Sequence, residues 1–141
     1  MFRCSEFRKE NLFLVYLFDA DAPEKKKTAQ RLLEEETALG RAILSTQVLQ
    51  EFYVTVTRKL AEPLSPETAE SVVRNLAELT LIPIDAGLVL SAIGLSRLQG
   101  FSFWDALIIS TALAGGAKRL LTEDLQHGQI IEGMRMENPF V

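Results

Sequence analysis

The sequence predicts an α/β domain in which helices cover both faces of a central parallel sheet. Short apolar segments with strand character alternate along the chain with longer segments whose apolar residues recur at helical spacing. One segment, residues 101–116, is apolar on nearly every side of a helix and should therefore be central and buried. Serine, aspartate or proline marks most of the predicted helix starts, which separates the elements from one another.

In the first half of the chain, residues 1–11 have no clear period, and the apolar run 12–18 fits a strand or a helix equally well. A helix start at 21–24 leads to a helix that continues to about Thr37, before Gly40. A strand at 42–45 precedes a helix that Pro63 stops, and Ser65 and Pro66 begin the next helix. The core-facing stripe of the helix before Pro63 comprises Leu49, Phe52, Tyr53, Val56 and Leu60.

In the second half, 80–84 reads as a strand and Asp85 caps a helix that ends at Gly100. The central helix starts with Ser102 and Asp105 at capping-box spacing, and Gly115 and Gly116 should end it with positive φ angles. Residues 118–122 are predicted to form a strand, and residues 134–141 should add a last edge strand.

Composition and charge limit the possible functions. The 141 residues should form a single domain, 1–141, that is 48% hydrophobic and 24% charged, which is typical of a globular protein. No apolar run approaches the roughly 20 residues that span a bilayer, and the N-terminus lacks a secretory signal pattern, so we expect a cytoplasmic protein with no membrane partner. The net charge of −4 means that a nucleic-acid substrate would need a local basic patch or a metal ion.

The possible patches are two basic clusters, although each is expected to be a solvated helix face: Lys25, Lys26, Lys27 and Arg31, and then Arg58 and Lys59. The chain has one cysteine, Cys4, and one histidine, His127, which is too few for a Cys/His zinc site. A metal ion would therefore be held by carboxylates, which favour Mg²⁺ or Mn²⁺.

Three acids should meet at one edge of the sheet, where the carboxyl ends of parallel strands gather ligands. Asp124 follows the strand 118–122, Asp105 starts the central helix, and Glu51 lies in the first turns of the helix after 42–45. Converging carboxylates repel one another unless a divalent cation lies between them. Such a cation also polarises a phosphoryl oxygen and activates water.

Each candidate also has a purely structural explanation. Asp105 could only cap its helix, Glu51 could face solvent, and Asp124 could be a turn residue that bonds to the backbone. His127 is expected to be a loop histidine bonded to the backbone rather than a metal ligand or a base.

Three segments, STQVLQEF at 45–52, FWDALI at 103–108 and LTEDLQHG at 121–128, together resemble the PIN domain family, and within it the VapC-like toxin ribonucleases of type II toxin–antitoxin pairs. The resemblance implies a three-layer sandwich with a central parallel sheet that cleaves single-stranded RNA with Mg²⁺ or Mn²⁺. It implies that Glu51, Asp105 and Asp124 are the metal-binding acids and that Thr122 is a supporting hydroxyl. The expected partners are the RNA substrate, a cognate antitoxin protein and a second copy of the chain in a homodimer.

The N-terminus departs from the family pattern of an apolar strand, an Asp-Thr-Asn triplet and an apolar helix. An ungapped alignment places Glu10, Asn11 and Leu12 at the triplet. Glu10 keeps the charge with one more methylene and is the predicted fourth metal ligand, whereas Leu12 replaces a polar group. We expect this altered motif to weaken the activity.

Two other functions remain open on the sequence alone. The chain could be a catalytically impaired binding module of the same fold. Alternatively, Asp19 and Asp21 after an apolar run look like the nucleophile motif of haloacid-dehalogenase-type phosphatases. The phosphatase hypothesis requires a strand at 12–18, whereas the PIN resemblance requires a helix there.

Overall fold

The structure is a computed structural model that describes residues 13–123 and 125–140. Helices dominate these residues, and short strands alternate with them. The elements are a 3₁₀ helix Phe13–Phe18, α1 Pro23–Ala38, β1 Ile43–Ser45, α2 Thr46–Arg58, α3 Pro66–Leu76, β2 Thr80–Ile82, α4 Ala86–Gln99, α5 Phe103–Ala114, β3 Arg119–Leu121, β4 Ile130–Ile131 and β5 Met134–Glu137.

The strands pair in two sheets. β1 and β2 are parallel, with Ile43 opposite Thr80, and β3 and β5 are parallel, with Arg119 opposite Arg135. β4 pairs antiparallel with the other side of β5. The predicted α/β class with parallel strand pairing is confirmed. The prediction of an edge strand after residue 134 is wrong, because β5 lies between β3 and β4.

Four predicted helix starts are confirmed by side-chain caps. Ser45 Oγ accepts a hydrogen bond from Val48 N at 3.2 Å, and Ser65 Oγ accepts one from Thr68 N at 3.1 Å. Asp85 and Ser102 cap α4 and α5 in the same way. Each cap stabilises its helix by about 1 kcal/mol, so these boundaries follow from local sequence. α1 starts differently: its N-cap is Ala22, which offers no side-chain acceptor.

α5 is the central helix, as predicted. All seven residues from 106 to 112 are buried, including Ile108 and Ile109, which are 0% exposed. Only one of the two glycines after it has the predicted positive φ angle: Gly116 has φ +76° and Gly115 has φ −79°. Gly115 is instead required by packing, because a Cβ there would lie 3.2 Å from two side-chain carbons of Ile82.

The buried face of α2 is slightly rotated from the predicted stripe. Phe52 and Val56 are fully buried, but Tyr53 is 38% exposed, so its assignment to the core is wrong. Polar Gln47 and Thr55 are buried in its place. The sequence pattern misses this rotation because the buried face accepts two polar residues.

The run 12–18 is helical as far as the structure describes it. Phe13–Phe18 forms a 3₁₀ helix whose Leu14, Val15 and Tyr16 are buried. This helix packs against α1 and α2. No helix within the described residues is both long enough and apolar enough to cross a membrane.

Candidate metal and nucleic-acid site

A cavity of about 570 Å³ is lined by Ile43 of β1, by Lys118 and Arg119 at the start of β3, and by Glu137 at the end of β5. We call this side of the molecule the amino edge, because the first residues of β1 and β3 both line it. α5 packs against β1. A Cβ on Gly115, at its end, would lie 3.4 Å from Ile43 Cγ2 of β1 and 3.2 Å from two side-chain carbons of Ile82 of β2.

The start of α5 lies near the segment that follows β2. Thr46, the first residue of α2, accepts a hydrogen bond through its Oγ1 from Ile84 N at 3.2 Å. Ile84 follows β2 and packs against the buried cluster that contains Ala106 and Leu107, the two residues after Asp105. The first residue of α2 and the start of α5 therefore both lie near Ile84, beyond the end of β2. We call this side the carboxyl edge.

Glu51 lies in the second turn of α2, on the half-buried side of the helix. Its Oε1 accepts a hydrogen bond from Gln47 Nε2 at 3.2 Å, and its Oε2 is shielded from solvent. The alternative in which Glu51 lies on a solvated face is therefore wrong. Gln47, which sequence reasoning missed, is 5% exposed. The four-residue spacing of the pair on a helix could have indicated the contact.

Asp105 lies in the first turn of α5 and is half-buried, next to the 44% exposed Trp104. Its backbone N donates to Ser102 Oγ at 3.2 Å, so the serine side chain caps α5.

Thr122 follows β3 directly and is 2% exposed. Its backbone N donates to Glu137 O at 2.9 Å, which continues the pairing of β3 with β5 by one residue. Thr122 therefore stands at the carboxyl end of β3, where the resemblance predicts a supporting hydroxyl. Glu10 and Asp124 lie outside the described residues, so their placement stays a prediction.

Glu123, beside Asp124 in the chain, is held by residues from the start of the chain. Its Oε2 accepts from Tyr16 OH at 2.8 Å and its Oε1 from Lys25 Nζ at 2.7 Å. Lys25 Nζ also lies 4.8 Å from the Tyr16 ring centre and 5.3 Å from that of Phe140. Sequence reasoning missed this cluster, because Glu123 is 107 and 98 residues from Tyr16 and Lys25. Lys25 is thus engaged in an ion pair within the chain.

A second ionic cluster occupies the amino edge. Glu36 is 8% exposed, and its carboxylate accepts a hydrogen bond from Arg41 Nε at 3.0 Å. It also forms an ion pair with Arg119, whose other amino group lies 3.4 Å from a carboxylate oxygen of Glu137. Burial raises the pKa of Glu36, but the hydrogen bonds and charges of Arg41 and Arg119 outweigh it and hold the pKa below its usual 4.5. These charges therefore balance within the chain.

Two other sequence predictions are settled by the described residues. His127 is exposed, and its Nδ1 accepts a hydrogen bond from Asn138 N at 2.9 Å, as expected for a loop histidine bonded to the backbone. Asp19 and Asp21 follow a 3₁₀ helix rather than a strand, and Asp19 Oδ1 accepts from Asp21 N at 3.0 Å. The strand that the phosphatase hypothesis required is absent from residues 13–18, so that hypothesis is wrong.

The described residues offer oxygen atoms of the type that a hard divalent cation binds. Glu51 and Asp105 offer half-buried carboxylates, Thr122 offers a buried hydroxyl, and oxygen is the ligand atom that Mg²⁺ and Mn²⁺ prefer. Across residues 13–123 and 125–140 no three His, Cys, Asp or Glu side chains are grouped closely enough to hold a metal ion. Two of the four predicted ligands, Glu10 and Asp124, are not among those residues.

Comparison with known families agrees with this fold. The PIN domain model matches residues 13–131, which is most of the chain. The protein belongs to the PIN domain family. PIN domains are generally metal-dependent nucleases, which makes nucleic acid the expected class of substrate. No curated protein matches the chain.

Proposed function

We propose that this PIN domain is a metal-dependent endoribonuclease that hydrolyses phosphodiester bonds of single-stranded RNA. The observation that supports the proposal is that Ile84, after β2, contacts both Thr46 at the start of α2 and the cluster with Ala106 at the start of α5, the helices that carry Glu51 and Asp105. Both residues stand in the motifs that resemble the family's acidic segments.

In this proposal Glu51, Asp105, Asp124 and Glu10 hold one or two Mg²⁺ or Mn²⁺ ions. The bound metal would supply Lewis-acid polarisation of the phosphate and a water of lowered pKa. The chain's own part would be to hold the carboxylates in place: Asp105 in the first turn of α5, and Glu51 beside Gln47 in α2. Thr122 adds a buried hydroxyl after β3.

The metal also addresses the charge problem of the substrate. The chain carries a net charge of −4, and an acidic edge repels RNA phosphates. Lys25 and Arg31, two of the basic residues that could have attracted RNA, are engaged with Glu123 and Glu35. A divalent cation bound at the carboxyl edge would reverse the local sign of the potential.

The direct test is RNA cleavage by the purified protein. We expect single-stranded RNA to be cut with Mn²⁺ or Mg²⁺ present, and cleavage to stop when EDTA removes the metal and to return when Mn²⁺ is restored. The absence of cleavage of several unrelated RNAs with either ion would contradict the proposal.

We further propose that the protein is the toxin of a toxin–antitoxin pair, which rests on the resemblance of its three motifs to VapC-like toxins. An antitoxin would inhibit the cleavage by covering the carboxyl edge with a segment that carries a basic side chain. Expression of the chain alone should slow bacterial growth, and the same expression of Asp105→Asn should not. Equal growth with both proteins would contradict the toxin role.

The same resemblance implies a homodimer, and α4 offers a surface for it. Leu90, Ile93 and Leu98 on this helix are 67%, 41% and 86% exposed. A contiguous exposed apolar patch is typical of an interaction surface. Sedimentation should show a dimer at micromolar concentration that Leu90→Glu shifts toward monomer. A wild-type monomer would contradict this assignment.

A catalytically impaired PIN-fold binding module is the second candidate, and the motif with Glu10 and Leu12 is the observation that favours it. The two candidates differ in metal affinity. Calorimetric titration with Mn²⁺ should give micromolar or tighter binding for a nuclease and no heat of binding for a module that has lost its site.

A further inference from the structure

Gln47 is the residue at the carboxyl edge whose presence packing does not explain. It is 5% exposed and sits in α2 beside the fully buried Val48. Its Nε2 donates to Glu51 Oε1 at 3.2 Å, while its own Oε1 is shielded from solvent and meets no hydrogen-bond donor within the described residues. The described hydrogen bond of the amide is therefore the one to Glu51, a candidate metal ligand.

A buried amide of this kind is unfavourable for folding. A shielded carbonyl oxygen without a hydrogen bond loses its hydration and gains nothing in return. Leucine or methionine at this position would fill similar space without a polar atom, as Val48 and Phe52 do on the same helix. The contact to Glu51 is what distinguishes glutamine from those side chains.

The orientation of the amide follows from its partner. Oxygen and nitrogen of a glutamine amide are distinguished by their hydrogen bonds, and a carboxylate oxygen at 3.2 Å requires the NH₂ group to face it. A neutral donor restricts the rotamers of Glu51 but leaves its negative charge intact. Lysine or arginine in the same place would neutralise the carboxylate that the metal needs.

We propose that Gln47 is a positioning residue for the metal site, holding Glu51 in the orientation in which its carboxylate meets the divalent ion. The inference rests on the proposed metal-dependent function and adds a residue to it. Groups that hydrogen-bond to metal ligands orient those ligands, and their removal typically weakens metal affinity by about 10-fold to 100-fold.

The test measures metal affinity and stability on the same variants. Gln47→Leu should weaken Mn²⁺ binding in calorimetry by roughly 10-fold or more. Its melting temperature without metal should stay equal to that of the wild type or rise, because a buried polar atom is lost. Gln47→Met, which keeps the unbranched shape, should behave in the same way. Gln50→Leu is the matched control, an exposed glutamine three residues further along α2, and should leave Mn²⁺ affinity unchanged.

A double variant separates positioning from general damage. If Gln47 acts through Glu51, then Gln47→Leu should have no further effect on Mn²⁺ affinity in a Glu51→Gln background. Additive losses in the double variant would overturn the inference. So would unchanged affinity in both Gln47 variants, or a loss of affinity that only follows a lower melting temperature.

Failure of the underlying function gives a different result. If the wild-type protein binds no Mn²⁺, the proposed function and the role of Gln47 fall together. If the wild type binds Mn²⁺ and cuts RNA while both Gln47 variants match it, only the role of Gln47 is contradicted.

Discussion

The carboxylates at the two edges have different hydrogen-bond partners. At the amino edge Glu36 is surrounded by the guanidinium groups of Arg41 and Arg119, and its charge is balanced by the chain itself. At the carboxyl edge the hydrogen bond described for Glu51 comes from Gln47, a neutral amide that orients the carboxylate and preserves its charge. The comparison separates a cluster whose charges the chain balances itself from one where, in the proposed function, a cation from solution would bind.

The largest effect should come from removing one charge at the carboxyl edge. Asp105→Asn should reduce RNA cleavage by at least about 100-fold, since losing one electrostatic group at a reacting phosphate typically costs about 10²–10³ in rate. Steady-state cleavage of a single-stranded RNA with Mn²⁺ measures this loss. The fold should survive, because Ser102 still caps α5.

Asp85→Asn is the matched control, because Asp85 is also an acid at a helix start. Its Oδ1 accepts from Leu88 N at 2.9 Å, and asparagine caps helices about as well. Cleavage by this variant should equal that of the wild type. Equal losses in both variants would mean that any acid at a helix start on this side, and not Asp105 in particular, controls the activity.

At the amino edge, the effect should be on stability instead. Glu36→Gln should lower the free energy of unfolding at pH 7 by about 1–3 kcal/mol, because the buried ionic hydrogen bonds to Arg41 and Arg119 are weakened. Denaturant unfolding measures the loss, and cleavage at a temperature where both proteins are folded should be unchanged. A large fall in specific cleavage without unfolding would erase the distinction between the edges.

The pH dependence of this contribution has a definite sign. Because the pKa of Glu36 is lower in the folded protein than its usual 4.5, its contribution is fully present above that value and is lost as the pH falls through the folded-state pKa. The stability difference between wild type and Glu36→Gln should therefore be constant near neutrality and shrink below pH 4.5. A difference that grows on acidification would contradict the assignment.

A smaller loss of stability is expected from the cluster around Glu123. Lys25 is 40% exposed and pairs with a Glu123 side chain that is 13% exposed. Lys25→Met keeps the aliphatic stem and should lower the free energy of unfolding by about 1 kcal/mol, because Tyr16 still donates to Glu123. Lys27→Met, at an exposed position of the same helix, should have almost no effect. Equal effects would show that the Glu123 contact adds nothing.

The smallest effect is expected for His127. Its imidazole accepts from Asn138 N at the surface, so His127→Ala should cost about 0.5 kcal/mol of stability and leave the cleavage rate unchanged. Denaturant unfolding measures the stability loss, and the pH–rate profile of cleavage shows whether the rate is unchanged. A loss of cleavage or of one limb of the profile would identify His127 as a base and contradict its structural role.

Local features of the fold could be predicted from the sequence because local chemistry determines them. Ser45, Ser65, Asp85 and Ser102 start helices through contacts only three residues long, and α5 is buried because its segment has almost no polar face. The 12–18 run could not be assigned, since seven apolar residues fit a strand as well as a helix. β4 was missed because two residues carry no period.

The site was only partly predictable for a related reason. Motifs and strand ends indicated Glu51 and Asp105, because the carboxyl ends of parallel strands meet by rule. The side chains that fix the acids depend on packing: Glu123 is bound by Tyr16 and Lys25, 107 and 98 residues away. Arg119 reaches Glu36 across 83 residues. No pattern within a single segment contains such contacts.

The central claim is that Glu51 and Asp105 serve one divalent cation, and Mn²⁺ titration calorimetry of three proteins tests it most directly. The wild type should bind Mn²⁺ with micromolar or tighter affinity, and Glu51→Gln and Asp105→Asn should each weaken that binding by at least about 10-fold, since each removes a ligand oxygen charge. Wild-type binding that neither substitution changes would contradict the claim.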